Sequence, residues 1–142
     1  MDNRTEFDLQ RFVDAQAGSY ESALAEVKAG RKRSHWMWYV FPQMKGLGHS
    51  ETSEFYGIEN LAEAKAYVAH PILGERLREV CKVLLELPTN DAKSIFGFPD
   101  DMKLKSSMTL FAMAADKPEI FNQVLGKYFG GEPNQNTANF HI

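Results

Sequence analysis

The feature that most constrains the fold is the spacing of the apolar residues, which recur at intervals of three and four along most of the chain. In ILGERLREVCKVLLEL, residues 72–87, arginine and glutamate lie opposite a single apolar stripe formed by Leu73, Leu77, Val80, Leu84 and Leu87. Such a stripe is typical of an amphipathic helix that buries one face. No segment shows the sustained alternation with a period of two that a half-buried strand would show. The sequence therefore predicts an all-α protein.

Capping residues and helix breakers divide the chain into a compact bundle of about six or seven helices. Asn60 and Asp100 stand where N-caps are expected, whereas Gly30 and Pro71 stand where helices are expected to end. A chain of 142 residues without a repeat or a linker-like segment is the size of one domain. We therefore expect residues 1–142 to form a single helical domain.

Two segments do not show the helical spacing. Residues 36–41 are a short apolar run that fits either a strand or a buried helix. We interpret this run as a short buried helix that unwinds before Pro42, because a single strand would have no partner. The tail, residues 130–142, has the sequence GGEPNQNTANFHI and is rich in turn-forming residues, so we expect it to wrap the surface.

The charge and the cysteine content narrow the class of protein. A net charge of −3 argues against a general nucleic-acid-binding protein, which normally carries a basic face. Cys81 is the only cysteine, so the chain cannot form an internal disulfide. No stretch reaches the length of a membrane span or resembles an apolar signal core. We expect a cytoplasmic protein without a membrane partner. Its one basic cluster follows a helix end, where such side chains are usually solvated, and consists of Lys28, Arg31, Lys32 and Arg33.

Chemistry is expected where polar residues interrupt apolar segments, and the first such place is SHWMWYVFPQMKGLGHS, residues 34–50. His35 is a candidate acid or base, while Trp36, Trp38 and Gln43 are candidates for ligand binding. Residues two apart on a helix differ in direction by about 200°, so at most one indole would line a pocket. The alternative is that both indoles pack in the core and that Gln43 bonds loop backbone.

The second polar insertion is HPILGERL, residues 70–77. His70 is a candidate acid or base, and the guanidinium of Arg76 is a candidate clamp for phosphate or carboxylate. The alternative is that His70 only complements the dipole at a helix C-terminus and that Arg76 is a surface charge.

The third polar insertion is DDMKLKSSMTLF, residues 100–111. Lys103 precedes Ser106 by three residues and Ser107 by four, so an ammonium group and two hydroxyls can share a helical face. Lys103 and Ser107 are candidate catalytic residues, and Ser106 is a candidate binding residue. The alternative is that the hydroxyls bond the backbone carbonyl four residues earlier and serve helix packing.

Familiar cofactor and metal motifs are absent from the sequence. It contains no GxxxxGK[ST] phosphate loop and no GxSxG elbow, and GLG at residues 46–48 lacks the strand that precedes a dinucleotide fingerprint. The four histidines include no i, i+4 pair that could begin a metal site. We therefore expect neither a cofactor nor a metal.

Four motifs together resemble the bacterial domain-of-unknown-function 1810 family: HWMWYVFPQMKGLGHS, HPILGERL, GFPDDMKLKSSMTLF and YFGGEPNQNT. They are spread over most of the chain. The resemblance implies a compact helical bundle, in agreement with the periodicity. The activity of the family is not established, so the resemblance assigns no catalytic residue. In helical build and polar content the chain is also similar to NAD/ADP-ribose-associated domains.

The chain departs from the family pattern near its end. The family pattern implies an aspartate in D-x-x-T, where this chain has Asn134 before Thr137. A mechanism that used that acid as a general base would fail here. Some members of the family carry the label calpastatin, the name of a protease inhibitor that is disordered when free. The apolar helical stripes contradict that label, because disordered chains are poor in them.

The predicted function is binding, with or without hydrolysis, of an anionic small molecule such as a nucleotide or an ADP-ribose-like compound. Aromatic faces would stack a ring while Arg76, Lys103 and His35 meet the anionic group. One alternative is a non-enzymatic protein–protein interaction module, a monomer or weak homo-oligomer, whose basic cluster would meet an acidic set on another copy. In the other alternative the polar residues only stabilise the core. The acidic set is Glu51, Glu54, Glu59 and Glu63.

Overall fold

The structure is a computed structural model that describes residues 7–47 and 50–138. Over these residues it contains helices and one isolated β-bridge, so the predicted all-α class is confirmed. Six of the ten described helices have eight residues or more, in agreement with the predicted six or seven. None of the described helices combines the length and the apolar character that crossing a membrane requires. In chain order the helices are α1 (Gln10–Ala17), α2 (Tyr20–Lys28), α3 (Met37–Val40), α4 (Glu51–Tyr56), α5 (Leu61–Ala69), α6 (Leu73–Glu86), α7 (Ala92–Phe96), α8 (Asp100–Ala114), α9 (Glu119–Phe129) and α10 (Gln135–Ala138).

Helix α8 lies at the centre of the bundle, because α5, α7, α9 and α10 all pack against it. Its residues 106–111 are all buried, so this stretch has no solvent-facing side. The ring centroid of Phe111 lies 5.2 Å from that of Tyr67 on α5 and 6.0 Å from that of Phe121 on α9. A helix covered on every side carries its polar residues into the interior together with its apolar ones. The polar residues buried in this way are Ser106, Ser107 and Thr109.

Helices α5 and α6 approach each other closely at Gly74. A Cβ atom at this position would collide with the backbone carbonyl of Val68, so the approach requires glycine. Leu73 and Leu77, on either side, belong to the buried core. The apolar stripe predicted for residues 72–87 therefore faces the interior, where α6 packs against α2, α5 and α9.

The predicted caps are confirmed at one position and wrong at another. The side chain of Asn60 accepts a hydrogen bond of 2.9 Å from the backbone N–H of Glu63, as an N-cap does. Asp100, in contrast, is the first residue of α8, and Pro99 occupies the cap position. The carboxylate of Asp100 is instead turned to two lysines, whose ammonium groups compete successfully for it.

Residues 36–41 contain α3, which confirms the prediction of a short buried helix. Trp36, Met37, Val40 and Phe41 all belong to the core. The chain then unwinds, and its backbone pairs with that of Ile58. The Ile58 N–H donates to the carbonyl of Gln43 over 2.9 Å, and the Ile58 carbonyl accepts from Lys45 N over 2.8 Å. This bridge fixes the segment after α3 against the connection between α4 and α5.

The tail contains a short helix, α10, that packs against α8. Thr137 is fully buried, and the side-chain oxygen of Asn134 accepts hydrogen bonds of 2.9 Å from both its N–H and its hydroxyl. An aspartate in place of Asn134 would cap α10 in the same way. The implied D-x-x-T pattern therefore has a structural explanation that needs no general base. Residues 139–142 of the predicted surface tail lie outside the described residues.

Candidate functional site

Helices α3 and α8 bring two of the predicted site residues together. The ammonium group of Lys103, in the first turn of α8, lies 5.2 Å from the ring centroid of Trp38 on α3. Trp38 is half-buried, and the Lys103 side chain is 25% exposed, so both groups can be reached from solvent. A cation at this distance from an indole face is attracted to the π electrons.

Asp100 joins Lys103 to a second lysine that the sequence analysis placed in the solvated basic cluster. The carboxylate oxygens of Asp100 lie 2.9 Å from the ammonium of Lys32 and 3.3 Å from that of Lys103. Lys32 in turn lies 5.3 Å from the ring centroid of Trp36. We call Lys32, Asp100 and Lys103 the Lys–Asp–Lys triad. Two positive groups and one negative group give the triad a net charge of +1, and the Lys32 and Asp100 side chains are only 10% and 17% exposed.

Ser107 lies one helical turn after Lys103 on the same face of α8. It is fully buried, and its hydroxyl has no hydrogen-bond partner among the described residues. The neighbouring Ser106 is buried as well, but its hydroxyl donates to the carbonyl of Met102 over 3.2 Å. That bond is the helix-packing alternative considered for the two serines, and it accounts for Ser106 but not for Ser107.

Glu26 organises the loop that leads from α2 to α3. It accepts hydrogen bonds from the backbone N–H groups of Arg33 and Ser34, from the Ser34 hydroxyl, and from the indole N–H of Trp36 over 2.8 Å. Burial alone would raise the pKa of Glu26, but the hydrogen bonds from Ser34, Arg33 and Trp36 outweigh it and lower the pKa to about 2. Trp36 itself has no exposed surface. These contacts give Trp36 the core-packing role that was the alternative to ligand binding.

Arg76 belongs to a polar network that begins two contacts away from Trp38. Its guanidinium donates to the side-chain oxygen of Gln16 over 3.3 Å and lies 5.1 Å from the ring centroid of Tyr20. Gln16 is buried and donates to the backbone carbonyl of Tyr39, the residue next to Trp38, over 2.7 Å. Arg76 also lines an open groove of about 610 Å³ on the α2 and α6 side of the bundle. The role of Arg76 as an anion clamp stays a prediction.

The two candidate histidines do not join the Lys103 cluster through any contact among the described residues. The ring nitrogen Nδ1 of His70 accepts from the N–H groups of Ile72 and Leu73, over 3.1 and 3.2 Å, at the start of α6. His70 therefore caps the following helix rather than complementing the dipole of the preceding one. His35 is exposed, and its carbonyl accepts from the hydroxyl of Tyr39.

Gln43 contributes its backbone to the local structure through the bond with Ile58 described above, and its side chain is half-buried. This placement agrees with a loop role and assigns no ligand contact. The predicted residues that the structure brings close to one another are therefore those of α3 and the first two turns of α8, namely Trp36, Trp38, Lys103 and Ser107.

Sequence reasoning missed Lys32, Asp100, Glu26 and the role of Gln16. A partial signal existed for two of them. Asp100 and Lys103 have the i, i+3 spacing of a helical ion pair, and Gln16 is the one polar residue on the otherwise apolar spacing of α1. Lys32 and Glu26 carry no such signal, because their partners are fixed only when the loop before α3 folds.

The comparison with known proteins gives one solved structure with a strong likeness. It is that of a conserved hypothetical protein, Rv1873, from Mycobacterium tuberculosis, with 51% sequence identity and a TM-score of 0.91. The match covers 93% of this chain and 94% of that one. None of the curated proteins matches the chain. The family model described as "Protein of unknown function (DUF1810)" matches residues 6–140, so the chain belongs to that family.

Proposed function

We propose that the protein binds a small anionic ligand, of the nucleotide or ADP-ribose type, between α3 and α8. The observation that carries this proposal is the Ser107 hydroxyl, which is fully buried without a hydrogen-bond partner among the described residues. Leaving a hydroxyl in this state costs about 1–3 kcal/mol. A ligand that supplies the partner offsets that cost. Since Ser107 follows Lys103 on one face of α8, an anion that meets the ammonium approaches the hydroxyl from the correct side.

The charge of the Lys–Asp–Lys triad supports an anion as the ligand. Two ammonium groups share a single carboxylate, and all three side chains are at least three-quarters buried. Partly desolvated charges are stable only when they are compensated. A phosphate or carboxylate group would compensate the remaining positive charge and would accept charge-assisted hydrogen bonds from Lys103.

The aromatic character of the site supports a ligand with a ring. Trp38 is half-buried and already lies against a cation, so one part of its indole is open to further contact. Stacking of a base on an aromatic side chain contributes about 1–3 kcal/mol. An anionic group near an aromatic face is the pattern that nucleotides and ADP-ribose-like compounds present.

Binding has more support than hydrolysis. A serine nucleophile needs a base within hydrogen-bonding distance, and Ser107 has no such partner among the described residues. Of the two candidate acids or bases, His70 already uses Nδ1 to accept two backbone N–H groups. We therefore assign Lys103, Trp38 and Ser107 as ligand contacts.

Calorimetric titration with inorganic phosphate, AMP and ADP-ribose tests the proposal. Replacing Lys103 with methionine keeps the length of the side chain and removes its charge, and we expect it to weaken binding of AMP or ADP-ribose about tenfold or more. Lys117→Met is the matched control, because Lys117 is exposed and lies outside the site. The proposal is wrong if none of the three compounds binds, or if both variants bind as the wild type does.

The alternative of a protein–protein interaction module has less support. Lys32 of the basic cluster is paired with Asp100, and Glu63 of the acidic set is 3% exposed and paired with Arg11 over 2.9 Å. The two sets therefore each lose a charge to internal pairs. Light scattering at low and high salt separates the alternatives, because association through opposite charges weakens as salt rises. The remaining exposed members are Lys28, Arg31, Arg33, Glu51, Glu54 and Glu59.

A further inference from the structure

Asp100 occupies the position that the anionic group of a ligand would take. Both of its carboxylate oxygens are used, one on Lys32 and the other on Lys103. Each of these ammonium groups also lies over an indole, of Trp36 and Trp38 respectively. An anion that approaches Lys103 along the open side of Trp38 therefore meets an ammonium group that already has a carboxylate partner.

The two contacts of Asp100 differ in a way that indicates which one yields. The contact with Lys32 is 2.9 Å long, and the Lys32 side chain is 10% exposed. The contact with Lys103 is 3.3 Å long, and the Lys103 side chain is 25% exposed. The longer and more exposed contact is the weaker one, since solvent screens it more strongly. Lys103 is thus the lysine that can turn to a ligand while Asp100 stays on Lys32.

We propose that Asp100 is a built-in competitor that holds Lys103 in the empty site and gives it up to the phosphate group of a ligand. This inference rests on the proposed ligand site. It assigns Asp100 as the residue that sets the affinity of the site and the class of anion it accepts.

A tethered competitor discriminates between kinds of anion. The Asp100 carboxylate is held beside Lys103 within one helical turn, so its effective concentration is far above that of a carboxylate in solution. A free carboxylate offers Lys103 the same chemistry as Asp100 and gains little by exchange. A phosphate monoester carries more negative charge and more acceptor oxygens, so it forms stronger charge-assisted hydrogen bonds. The site therefore favours phosphate esters over carboxylates.

The experiment compares Asp100→Asn with Asp101→Asn, using AMP as the probe and adenosine as its uncharged counterpart. Both substitutions remove one negative charge from the first turn of α8. The carboxylate of Asp101 bonds only to the adjacent Met102 N–H among the described hydrogen bonds, so its removal leaves the triad intact. Calorimetry gives the affinities, and thermal unfolding shows whether each variant is folded.

We expect Asp100→Asn to bind AMP about tenfold more tightly than the wild type. Asp101→Asn is expected to change the affinity by less than about twofold, and adenosine binding is expected to be unchanged in both variants. If Asp100→Asn is folded and binds AMP no more tightly, or if both variants gain equally, Asp100 is not a competitor. In those cases the ligand site itself stands, provided that Lys103→Met still weakens AMP binding. If no form of the protein binds AMP, ADP-ribose or phosphate, the ligand site and the competitor are both refuted.

Discussion

Replacing Ser107 with alanine is expected to make the unliganded protein more stable, which is unusual for a polar residue in a core. The hydroxyl is fully buried and without a partner among the described residues. Removing an unpaired buried hydroxyl recovers about 1–3 kcal/mol of desolvation. The missing oxygen leaves a small void and its lost contacts offset part of this gain. We expect a net increase of about 1 kcal/mol in the free energy of unfolding, which corresponds to about 3–5 °C in Tm for a chain of this size.

Ser106→Ala is the matched control, because Ser106 is the adjacent residue, is also buried, and donates a hydrogen bond to the carbonyl of Met102. Its replacement is expected to leave stability unchanged or to lower it by about 0.5–1 kcal/mol. Urea unfolding without ligand gives both values. In the same variants, AMP binding is expected to weaken for Ser107→Ala and to persist for Ser106→Ala. A fall in stability for Ser107→Ala would refute the reasoning, since it would mean that the hydroxyl has a partner in the empty protein.

Two further predictions concern residues that support the site. The lowered pKa of Glu26, about 2 against an ordinary 4.5, means that its contribution to stability is complete above pH 4.5 and is lost as the pH falls towards 2. The difference in urea midpoint between the wild type and Glu26→Gln is therefore expected to shrink over that window; a constant difference contradicts the assignment. Arg11→Met leaves the buried carboxylate of Glu63 unpaired and is expected to lower the free energy of unfolding by about 3–5 kcal/mol. Adding Glu63→Gln to Arg11→Met is expected to restore part of the loss in urea unfolding, and no recovery would show that the charge is not its cause.

The sequence was informative where local rules decide the structure. The apolar stripe of residues 72–87 correctly predicts α6, because a helix on the flank of the bundle keeps one exposed face. The side chain of Asn60 caps α5 as its position predicts, because an N-cap bond involves only neighbouring residues. The direction of the two indoles also follows helical geometry, since Trp36 is buried while Trp38 is only half-buried.

The candidate site was less predictable because its contacts join segments that are distant in the chain. Lys32 pairs with Asp100 across the bundle, and nothing in the local sequence separates Lys32 from the exposed cations around it. Glu26 bonds a loop whose path depends on where α3 packs. Spacing did place Lys103 and Ser107 on one face of α8. It did not show that α8 is enclosed on all sides, which is why the burial of Ser107 could not be predicted.

The close approach of α5 and α6 at Gly74 bears on how similarity in this family should be read. In HPILGERL the glycine admits the neighbouring backbone, His70 caps α6, and Leu73 and Leu77 fill the core. Most letters of this motif thus record how two helices meet, and a distant chain could retain them after losing any ligand. Inheritance of a shared activity is better judged from Lys103, Ser107 and their partners, whose presence the architecture alone does not demand.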